Sequence, residues 1–331
     1  MLQFLKEMMD FKFLLTLSTL IGLFSLLKTL VVILRWAWGS FLRPKKDLKK
    51  YGSWAVVTGP TDGIGKATTF QLAREGLNLV LIGRNPAKLS SVSSEVQERF
   101  AGVKVRSIVC DFAKDLENGI KRIEQGIKDL DVGILINNVG TTYPFAMFLH
   151  EVDEKLMESV IGVNVVGTTK VTHVVLQGMV ERKRGAIVNI GSGASSVLPS
   201  YPLVTIYSAT KGYIEKFSRS LSVEYKPYGI DVQCQVPLYV STKMTKIRPS
   251  FFAPSADEYA RWCLRWVGHD AVCVPYWTHS IQSLAARFLP DAFLDWWFFR
   301  CFLLLREKAM KQQHLYSKEH MGNDGRQVQT A

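Results

Sequence analysis

The longest apolar run of the chain lies near its N-terminus, from Phe13 to Leu34, and only Lys28 and a few Ser and Thr residues interrupt it. As a helix, this run would measure about 33 Å, which is enough to cross a bilayer core of about 30 Å. Trp36 and Trp38 follow the run and suit the membrane–water interface. The pattern predicts a transmembrane anchor over residues 13–34, in preference to a cleaved signal peptide or a buried amphipathic helix.

From residue 51 onwards, short apolar runs alternate with stretches of helical spacing. This alternation predicts an α/β fold with a doubly wound parallel sheet, because parallel strands are joined by helical crossovers. A chain of 331 residues can form one large domain or two small ones, and residues 51–248 form the predicted core. The predicted strands are Trp54–Thr58, Asn78–Arg84, Val103–Val109, Val132–Ile136, Gly185–Ile190 and Val232–Val236.

A glycine-rich turn with the spacing TGxxxGxG joins the first strand to the first core helix. Gly59 allows the tight turn, Gly63 lets the backbone approach a pyrophosphate, and Gly65 permits close packing of the helix. The helix N-terminus then meets the phosphate charge. This unit predicts a Rossmann fold with a dinucleotide site. The residues predicted to bind from this turn are Gly59, Thr61, Asp62, Gly63, Ile64, Gly65 and Lys66.

The ends of the next strands indicate which dinucleotide is bound. Enzymes that use NAD usually place an acid at the end of the second strand, whereas this strand ends with Arg84 and no acid. Arg84 can pair with a 2′-phosphate, and Lys66 adds charge at the glycine turn, so the predicted cofactor is NADPH. Asp111 follows the third strand, where its carboxylate can accept from the adenine amino group. Asn138 and Gly140 follow the fourth strand and complete the predicted cofactor contacts.

Two copies of the pattern YxxxK occur, one from Tyr207 to Lys211 and one from Tyr239 to Lys243. On a helix, Tyr and Lys four residues apart share one face, and a lysine beside a phenol lowers the phenol pKa. Tyr207 precedes the helical stretch Ser208–Tyr225 and is the predicted general acid. The second copy follows a proline at a strand end, so a helix is not expected there.

Two further polar residues belong to the candidate catalytic half. Ser192 follows the fifth strand, where its hydroxyl can polarise a carbonyl. Asn164 lies in the preceding predicted helix among apolar neighbours, so it is either a surface residue or the holder of a water that relays protons to Lys211.

Together, these motifs resemble the short-chain dehydrogenase/reductase family, in family order over roughly residues 50–245. The resemblance implies a catalytic tetrad of Asn164, Ser192, Tyr207 and Lys211. In that mechanism Tyr207 protonates a carbonyl oxygen while NADPH delivers hydride to the carbon. It also implies that Thr242, after the sixth strand, contacts the nicotinamide amide.

The sequence departs from the family pattern at two positions. Pro237-Leu238 stands where Pro-Gly is usual, so the local turn is expected to differ. Ser192 lies further before Tyr207 than is common, which a loop insertion would explain. Without such an insertion, Ser195 is the next candidate.

A narrower resemblance, carried by Asn137–Gly140, Thr205–Lys211 and Val236–Met244, is to the very-long-chain 3-oxoacyl-CoA reductases, closest to the plant ones. It implies NADPH-dependent reduction of a 3-oxoacyl-CoA substrate in fatty-acid elongation. It also implies an endoplasmic reticulum membrane and, as partners, a condensing enzyme, a dehydratase and an enoyl reductase. A 17β-hydroxysteroid or retinol-type dehydrogenase is the enzyme alternative. A catalytically silent scaffold is a second alternative, against which the intact Ser192, Tyr207 and Lys211 argue.

Net charge and cysteine content limit which classes of partner and which kinds of site are expected. The net charge of +12 attracts anions such as nucleotide phosphates, anionic membrane lipid and coenzyme A thioesters. No zinc-finger spacing, RNA-binding aromatic signature or long basic helix occurs in the sequence, so nucleic acid is not expected as a partner. The five cysteines are odd in number and form no CxxC pair, so neither a metal site nor a disulfide framework is predicted.

The two flanks of the anchor differ in charge. In the N-terminal flank, residues 1–12, Lys6 and Lys12 are offset by Glu7 and Asp10. The juxtamembrane linker, residues 35–50, is strongly basic. The positive-inside rule therefore predicts a single-pass protein whose catalytic domain faces the cytosol.

The C-terminal region, residues 249–310, is rich in tryptophan. Its segment Phe293–Leu305 is strongly apolar, yet Asp295 and Arg300 interrupt it, and it is too short for a second span. Two interpretations stay open, namely an interfacial helix that helps a long acyl chain reach the site, and a core helix that closes the substrate pocket. Residues 311–331 form a polar tail that is predicted to be disordered.

Overall fold

The computed structural model describes the backbone of residues 2–327 and the side-chain environments of residues 10–312. The chain divides into two units, Met1–Pro44 and Lys45–Ala331. The first unit is helix α1, Leu2–Ala37, which continues as a π-helical turn, Trp38–Leu42. The helix thus extends beyond both ends of the predicted anchor.

Within the described residues, two helical stretches are long and apolar enough to cross a membrane, Asp10–Leu42 and Glu154–Arg182. Half of the apolar window in the second stretch is buried inside the protein (50%), so that stretch belongs to the core. None of the window in the first stretch is buried (0%). The N-terminal helix therefore fits a single-pass membrane protein.

The second unit is built on one parallel sheet of seven strands in the order β3-β2-β1-β4-β5-β6-β7. Its strands are β1 Trp54–Thr58, β2 Asn78–Gly83, β3 Val105–Val109, β4 Val132–Asn137, β5 Gly185–Ile190, β6 Ile230–Gln235 and β7 Val272–Cys273. Its helices are α2 Gly63–Arg74, α3 Pro86–Arg99, α4 Leu116–Ile127, α5 Glu154–Ile161, α6 Thr168–Arg182, α7 Gly193–Ser196, α8 Thr205–Glu224, α9 Ala256–Arg265, α10 Trp277–Arg287 and α11 Asp291–Gln327.

The six predicted strands all exist, and β1 and β5 have the predicted bounds. The seventh strand was not predicted, because β7 has two residues and no periodicity can be recognised over so short a run. Helix α8 begins three residues before the predicted stretch and ends one residue earlier. The parallel Rossmann sheet inferred from the alternating pattern is confirmed.

Both faces of the sheet are covered. Alternate residues of β1 point to opposite faces, so Ala55 and Val57 join one hydrophobic cluster and Val56 joins the other. The first cluster also takes side chains from α2, α3 and α9, and the second takes them from α4 and α6. Burial on both faces explains why the central strands are continuous apolar runs.

The order of the strands reverses between β1 and β4, which are neighbours in the sheet although two strands separate them in sequence. The chain proceeds from β1 towards β3 on one side and from β4 towards β7 on the other. In such a sheet, the loops after β1 and β4 diverge and leave a crevice at the carboxyl ends of the strands, where ligands bind.

Helix α11 continues through residues 311–327, where the sequence predicts disorder. Most residues from Arg306 to Lys318 are strong helix formers such as Leu, Lys, Glu and Gln, and they extend a helix that is already nucleated by its packed first half. Residues 328–331 of the predicted tail and Met1 of the predicted N-terminal flank lie outside the described residues.

Candidate active site

The turn after β1 has a backbone that only glycine adopts readily. Gly59 and Gly63 have φ values of +66° and +52°, in the left-handed region. A Cβ atom on Gly65 would lie 2.1 Å from the carbonyl oxygen of Gly59 and 2.3 Å from Nδ2 of Asn138. These three positions therefore form a cradle that a side chain would fill. It lies at the N-terminus of α2, as a bound phosphate requires.

A threonine braces this turn against the end of β4. The hydroxyl oxygen of Thr58 accepts the backbone N–H groups of Asn138 and Val139 at 3.0 and 3.1 Å. In return, Nδ2 of Asn138 donates to the carbonyl oxygens of Thr58 and Gly59. Thr58 is part of the glycine motif in the sequence, but this role depends on the neighbouring strand and has no signal in the motif.

A cleft of about 560 Å³ opens at the carboxyl ends of the strands. Most of the predicted site residues line it. They are Gly59, Thr61, Asp62, Gly63, Ile64, Arg84, Asp111, Asn138, Gly140, Ser192, Tyr207, Lys211 and Thr242. Gly65 and Asn164 do not line the cleft and support it from behind.

Lys66 differs from the prediction that it adds charge at the glycine turn. Its ammonium forms an ion pair with Glu95 of α3 at 2.9 Å and lies 5.7 Å from the ring centre of Phe70. The first turn of α2 directs this side chain towards α3, away from the cleft.

The cationic end of the cleft holds Lys88 in addition to Arg84. Lys88 lies in the first turn of α3, and the side chain of Asn85 caps that helix by accepting the N–H of Lys88 at 3.0 Å. Sequence reasoning missed Lys88. Its position four residues after Arg84, just inside a helix that begins with an Asn cap and a proline, was the available signal. Asp111 also lines the cleft, and its carboxylate accepts the N–H of Ala113.

Helix α8 carries Tyr207 and Lys211 on one face. Lys211 is buried, its ammonium donates to the carbonyl oxygen of Ile190 at 2.8 Å, and it lies 5.8 Å from the ring centre of Tyr207. Burial lowers the pKa of Lys211 to about 8. The two side chains therefore converge at the end of β5.

The pKa of Tyr207 is raised, against the expectation that the lysine lowers it. Burial raises this pKa, and the hydrogen bond with the hydroxyl of Ser192 opposes the change only in part. Lys211 does not offset the effect of burial, because its ammonium is directed to a backbone carbonyl and lies beside the ring of Tyr207. In this arrangement Tyr207 holds its proton, as a proton donor must.

Ser192, and not Ser195, reaches the cleft. Ser192 caps the short helix α7, lines the cleft and is hydrogen-bonded to Tyr207. The hydroxyl of Ser195 donates to the carbonyl oxygen of Ser192 at 3.2 Å and lies behind it. The one-turn helix α7 lengthens this loop, which accounts for the long spacing between Ser192 and Tyr207.

Asn164 is buried in a π-helical turn, Gly162–Gly167, between α5 and α6. Its Oδ1 accepts the N–H of Thr141 at 2.8 Å, and its Nδ2 donates to the carbonyl oxygen of Thr141 and to the hydroxyl of Thr210. It thus joins the loop after β4 to the catalytic helix. The surface interpretation of Asn164 was wrong, because the π-helical turn directs the side chain inward.

The second YxxxK copy lies in a loop after β6, as expected. Lys243 pairs with Asp62 at 3.0 Å, and its side chain is 83% exposed. Thr242 faces the glycine turn, since a Cβ atom on Gly63 would lie 3.1 Å from its methyl carbon. The hydroxyl of Tyr239 contacts that of Tyr201 at 3.3 Å.

A buried histidine of α10 holds the segment where Leu238 replaces the usual glycine. Nδ1 of His279 accepts the N–H of Leu238 at 3.3 Å, and its Nε2 donates to the carbonyl oxygen of Tyr239 at 3.1 Å. Burial lowers the pKa of His279 to about 4, so the ring stays neutral and keeps both bonds. The side chain of Leu238 packs over Gly193, next to Ser192. Nothing in the sequence distinguished His279, because its partners lie 40 residues away.

On the substrate side, Tyr207 packs against a hydrophobic cluster that α11 closes. Phe302 of α11 is buried in this cluster together with Tyr143 and Leu203, and Phe298 packs against it. Arg306 clamps the helix by a bidentate ion pair with Glu151. The cluster gives an apolar wall beside a proton donor and a dinucleotide cleft, which is an arrangement that can reduce a carbonyl on an apolar chain.

Comparison with known proteins agrees with this geometry. Residues 53–250 match the family model described as short chain dehydrogenase. A very-long-chain 3-oxoacyl-CoA reductase-like protein of Arabidopsis thaliana is 49% identical over 88% of this chain and 94% of its own length. A very-long-chain 3-oxoacyl-CoA reductase of Anas platyrhynchos is 42% identical over 75% of each chain.

Two further matches concern activity and cofactor. The inactive hydroxysteroid dehydrogenase-like protein 1 of Homo sapiens is 42% identical over 75% of this chain and 76% of its own. The structure of a short-chain dehydrogenase from Sphingobium yanoikuyae in complex with NADPH is 26% identical, with a TM-score of 0.59 over 71% of this chain and 93% of that one. The cradle of three glycines and the polar strand ends fit a nicotinamide dinucleotide. With its sheet order, its glycine turn and its family match, the chain belongs to the short-chain dehydrogenase family of oxidoreductases.

Proposed function

We propose that this protein reduces very-long-chain 3-oxoacyl-CoA to 3-hydroxyacyl-CoA with NADPH, as a step of fatty-acid elongation. The observation that carries the proposal is the meeting of Ser192, Tyr207 and Lys211 at the junction of a dinucleotide cleft and an apolar cluster closed by α11. The names of the relatives at 49% and 42% identity support the same substrate class.

Each catalytic side chain has a role that follows from its contacts. The hydroxyls of Ser192 and Tyr207 together orient the substrate carbonyl, and Tyr207 donates the proton to its oxygen. Lys211 holds position through Ile190 and supplies positive charge beside the phenol ring. Asn164 positions the catalytic helix through Thr210. When bound, the nicotinamide cofactor supplies the hydride.

The preference for NADPH is assigned to Arg84 and Lys88, two cations at the cleft whose neighbouring strand end lacks an acid. A 2′-phosphate pairs well with a guanidinium and an ammonium, whereas a ribose hydroxyl gains little from either. We expect Arg84→Ala with Lys88→Ala to lower kcat/KM for NADPH by about 100-fold, as expected for two lost charge-assisted contacts, and to change that for NADH little. Steady-state kinetics with both cofactors measure this ratio. Equal losses with both cofactors would contradict the assignment.

The proposed location is the endoplasmic reticulum membrane, with the catalytic unit in the cytosol beside a condensing enzyme, a dehydratase and an enoyl reductase. The basic residues that follow the anchor favour this orientation. Protease digestion of sealed microsomes is the test, because a cytosolic catalytic unit is cleaved without detergent.

The decisive activity assay is NADPH oxidation by the detergent-solubilised full chain, supplied in parallel with a long-chain 3-oxoacyl-CoA and a 17-ketosteroid. Turnover of the thioester is the expected result. Turnover of the steroid alone assigns a hydroxysteroid dehydrogenase instead. The inactive human relative makes a silent scaffold the second candidate, and absence of turnover with both substrates would favour it.

A further inference from the structure

Helix α10 presents an apolar stripe to the outside. Trp277, Ile281, Leu284 and Phe288 follow one another at intervals of four, three and four residues, which places them on one side of the helix. Ile281, Leu284 and Phe288 are exposed, and Phe288 is 76% exposed. The ring of Phe251, itself exposed, packs edge-on against Trp277 and extends the stripe.

Helix α11, the next helix along the chain, carries a second apolar stripe. Phe293, Trp296 and Trp297 are exposed, whereas Leu294 and Phe302, on other sides of the helix, are buried against the unit. The ion pair between Arg306 and Glu151 fixes the rotation of the helix. Because the opposite side of the helix is packed against the unit, the exposed aromatic residues point outward and cannot turn into the core.

We call the exposed residues of the two stripes the aromatic surface, namely Ile281, Leu284, Phe288, Phe293, Trp296 and Trp297. Exposed apolar patches larger than a few hundred Å² are rare on soluble monomers and mark contact surfaces. Exposed cations lie among and beside these residues, namely Arg287, Arg300 and Lys308, and they alternate with the acids Asp291, Asp295 and Glu307. Tryptophan with neighbouring arginine and lysine is the composition of a segment that lies at a membrane interface.

We propose that the aromatic surface binds the headgroup region of a lipid bilayer. With the proposed anchor over residues 13–34, which the apolar N-terminal helix fits, a bilayer is always available to this chain. A second span is excluded, since Phe293–Leu305 would cover only about 20 Å as a helix and one side of it is packed into the unit. The helix therefore lies on the bilayer surface, with its aromatic side towards the lipid and its Phe302 side towards the hydrophobic cluster.

The proposal deepens the function proposed above and, in this respect, rests on it. Helix α11 carries the aromatic surface on one side and, on the other, the residues Phe298 and Phe302 that pack in the cluster with Tyr207. A long acyl chain that leaves the bilayer at α11 reaches the proton donor along apolar side chains, without crossing water. The two interpretations of Phe293–Leu305, an interfacial helix and a helix that closes the pocket, are thus two sides of one element.

The test uses the full-length chain, reconstituted into vesicles of phosphatidylcholine and phosphatidylserine. An environment-sensitive fluorophore is attached at Phe288→Cys or Trp297→Cys in a Cys301→Ser background, because the other four cysteines are buried. Val223→Cys is the matched control, since Val223 on α8 is 75% exposed, almost as much as Phe288. Lipids with brominated acyl chains report depth, because bromine quenches a fluorophore only at short range.

We expect brominated lipid to reduce emission at positions 288 and 297 by at least about two-fold, because an interfacial helix lies about 5–10 Å into the headgroup and acyl boundary. Emission at position 223 should stay unchanged. Quenching at 288 and 297 that is no greater than at 223 would overturn the proposal. Protection from a water-soluble quencher that grows with protein concentration, without a bromine effect, would identify a second copy as the occupant and overturn it too. Neither substrate nor cofactor enters this measurement, so failure of the reductase assignment would not affect it.

Discussion

The chain contains the sequence YxxTK twice, once on a helix and once in a loop. In the first copy, helix α8 places Tyr207 and Lys211 on one face, where they meet the end of β5. In the second copy, a proline and the end of β6 prevent a helix, so Tyr239 and Lys243 diverge. Lys211 is buried, whereas Lys243 forms an exposed ion pair with Asp62.

The difference shows that a spacing acquires chemistry only through the element that displays it. Four residues along a helix bring two side chains within reach, while four residues along a loop do not. The threonines repeat the contrast. Thr210 is buried and is bonded to Asn164, whereas Thr242 faces the glycine turn and lines the cleft. Each residue of one copy therefore has a matched control in the other.

The largest expected effect concerns the two tyrosines. We expect Tyr207→Phe to lower kcat/KM for the 3-oxoacyl-CoA by about 10² to 10⁴, because it removes the proton donor. Tyr239→Phe should stay within about three-fold of wild type, since it removes one weak contact at 3.3 Å with Tyr201. NADPH oxidation by the two full-length variants measures both effects. Equal losses would mean that the helical context does not select the acid.

Lys211 and Lys243 should differ in how their contribution to stability depends on pH. The pKa of Lys211 is about 8, below its ordinary value of 10.5, so the unfolded chain binds more protons than the folded one between these values. Stability relative to Lys211→Met should therefore rise by up to about 3 kcal/mol as the pH increases from 8 to 10.5. Below pH 8 the buried ammonium is charged, so its desolvation lowers the free energy of unfolding by the full amount.

Thermal unfolding at pH 7.5 and pH 10 measures this difference. Lys243→Met is the control and should follow wild type at both pH values, because an exposed ion pair contributes at most about 1 kcal/mol. Parallel pH dependence of wild type and Lys211→Met would show that Lys211 is not buried as the structure has it.

The smallest effect is expected for the threonines, and its kind differs between them. Thr210→Val removes the hydroxyl that Asn164 donates to and should cost about 1–3 kcal/mol of stability, with little change in KM for NADPH. If Thr242 contacts the nicotinamide amide as the family resemblance implies, Thr242→Val should raise KM for NADPH by about five-fold, the loss of one hydrogen bond, with little change in stability. Melting temperatures and cofactor titrations of both variants distinguish these outcomes, and the same kind of defect in both would contradict the comparison.

Sequence patterns located most of the cleft, because its residues follow strands in a fixed order. The glycine turn, Arg84, Asp111 and Asn138 each come directly after an apolar run, and parallel strands bring such positions to one edge. Residues that act through distant partners were not found this way. His279 binds backbone 40 positions earlier, and Lys66 turned out to pair with Glu95 on the next helix.

The sequence by itself determined the apolar N-terminal helix, the parallel sheet, the glycine turn and the helical placement of the first YxxTK copy. These features depend on local periodicity and on residues with special backbone freedom, which can be recognised over a few neighbouring positions. Only the tertiary structure decided that Ser192 lies in front of Ser195, that Lys88 shares the cleft with Arg84, and that α11 has one packed side and one exposed side. These outcomes depend on contacts between segments that are far apart in the chain, and hydrophobic periodicity does not specify which segments meet.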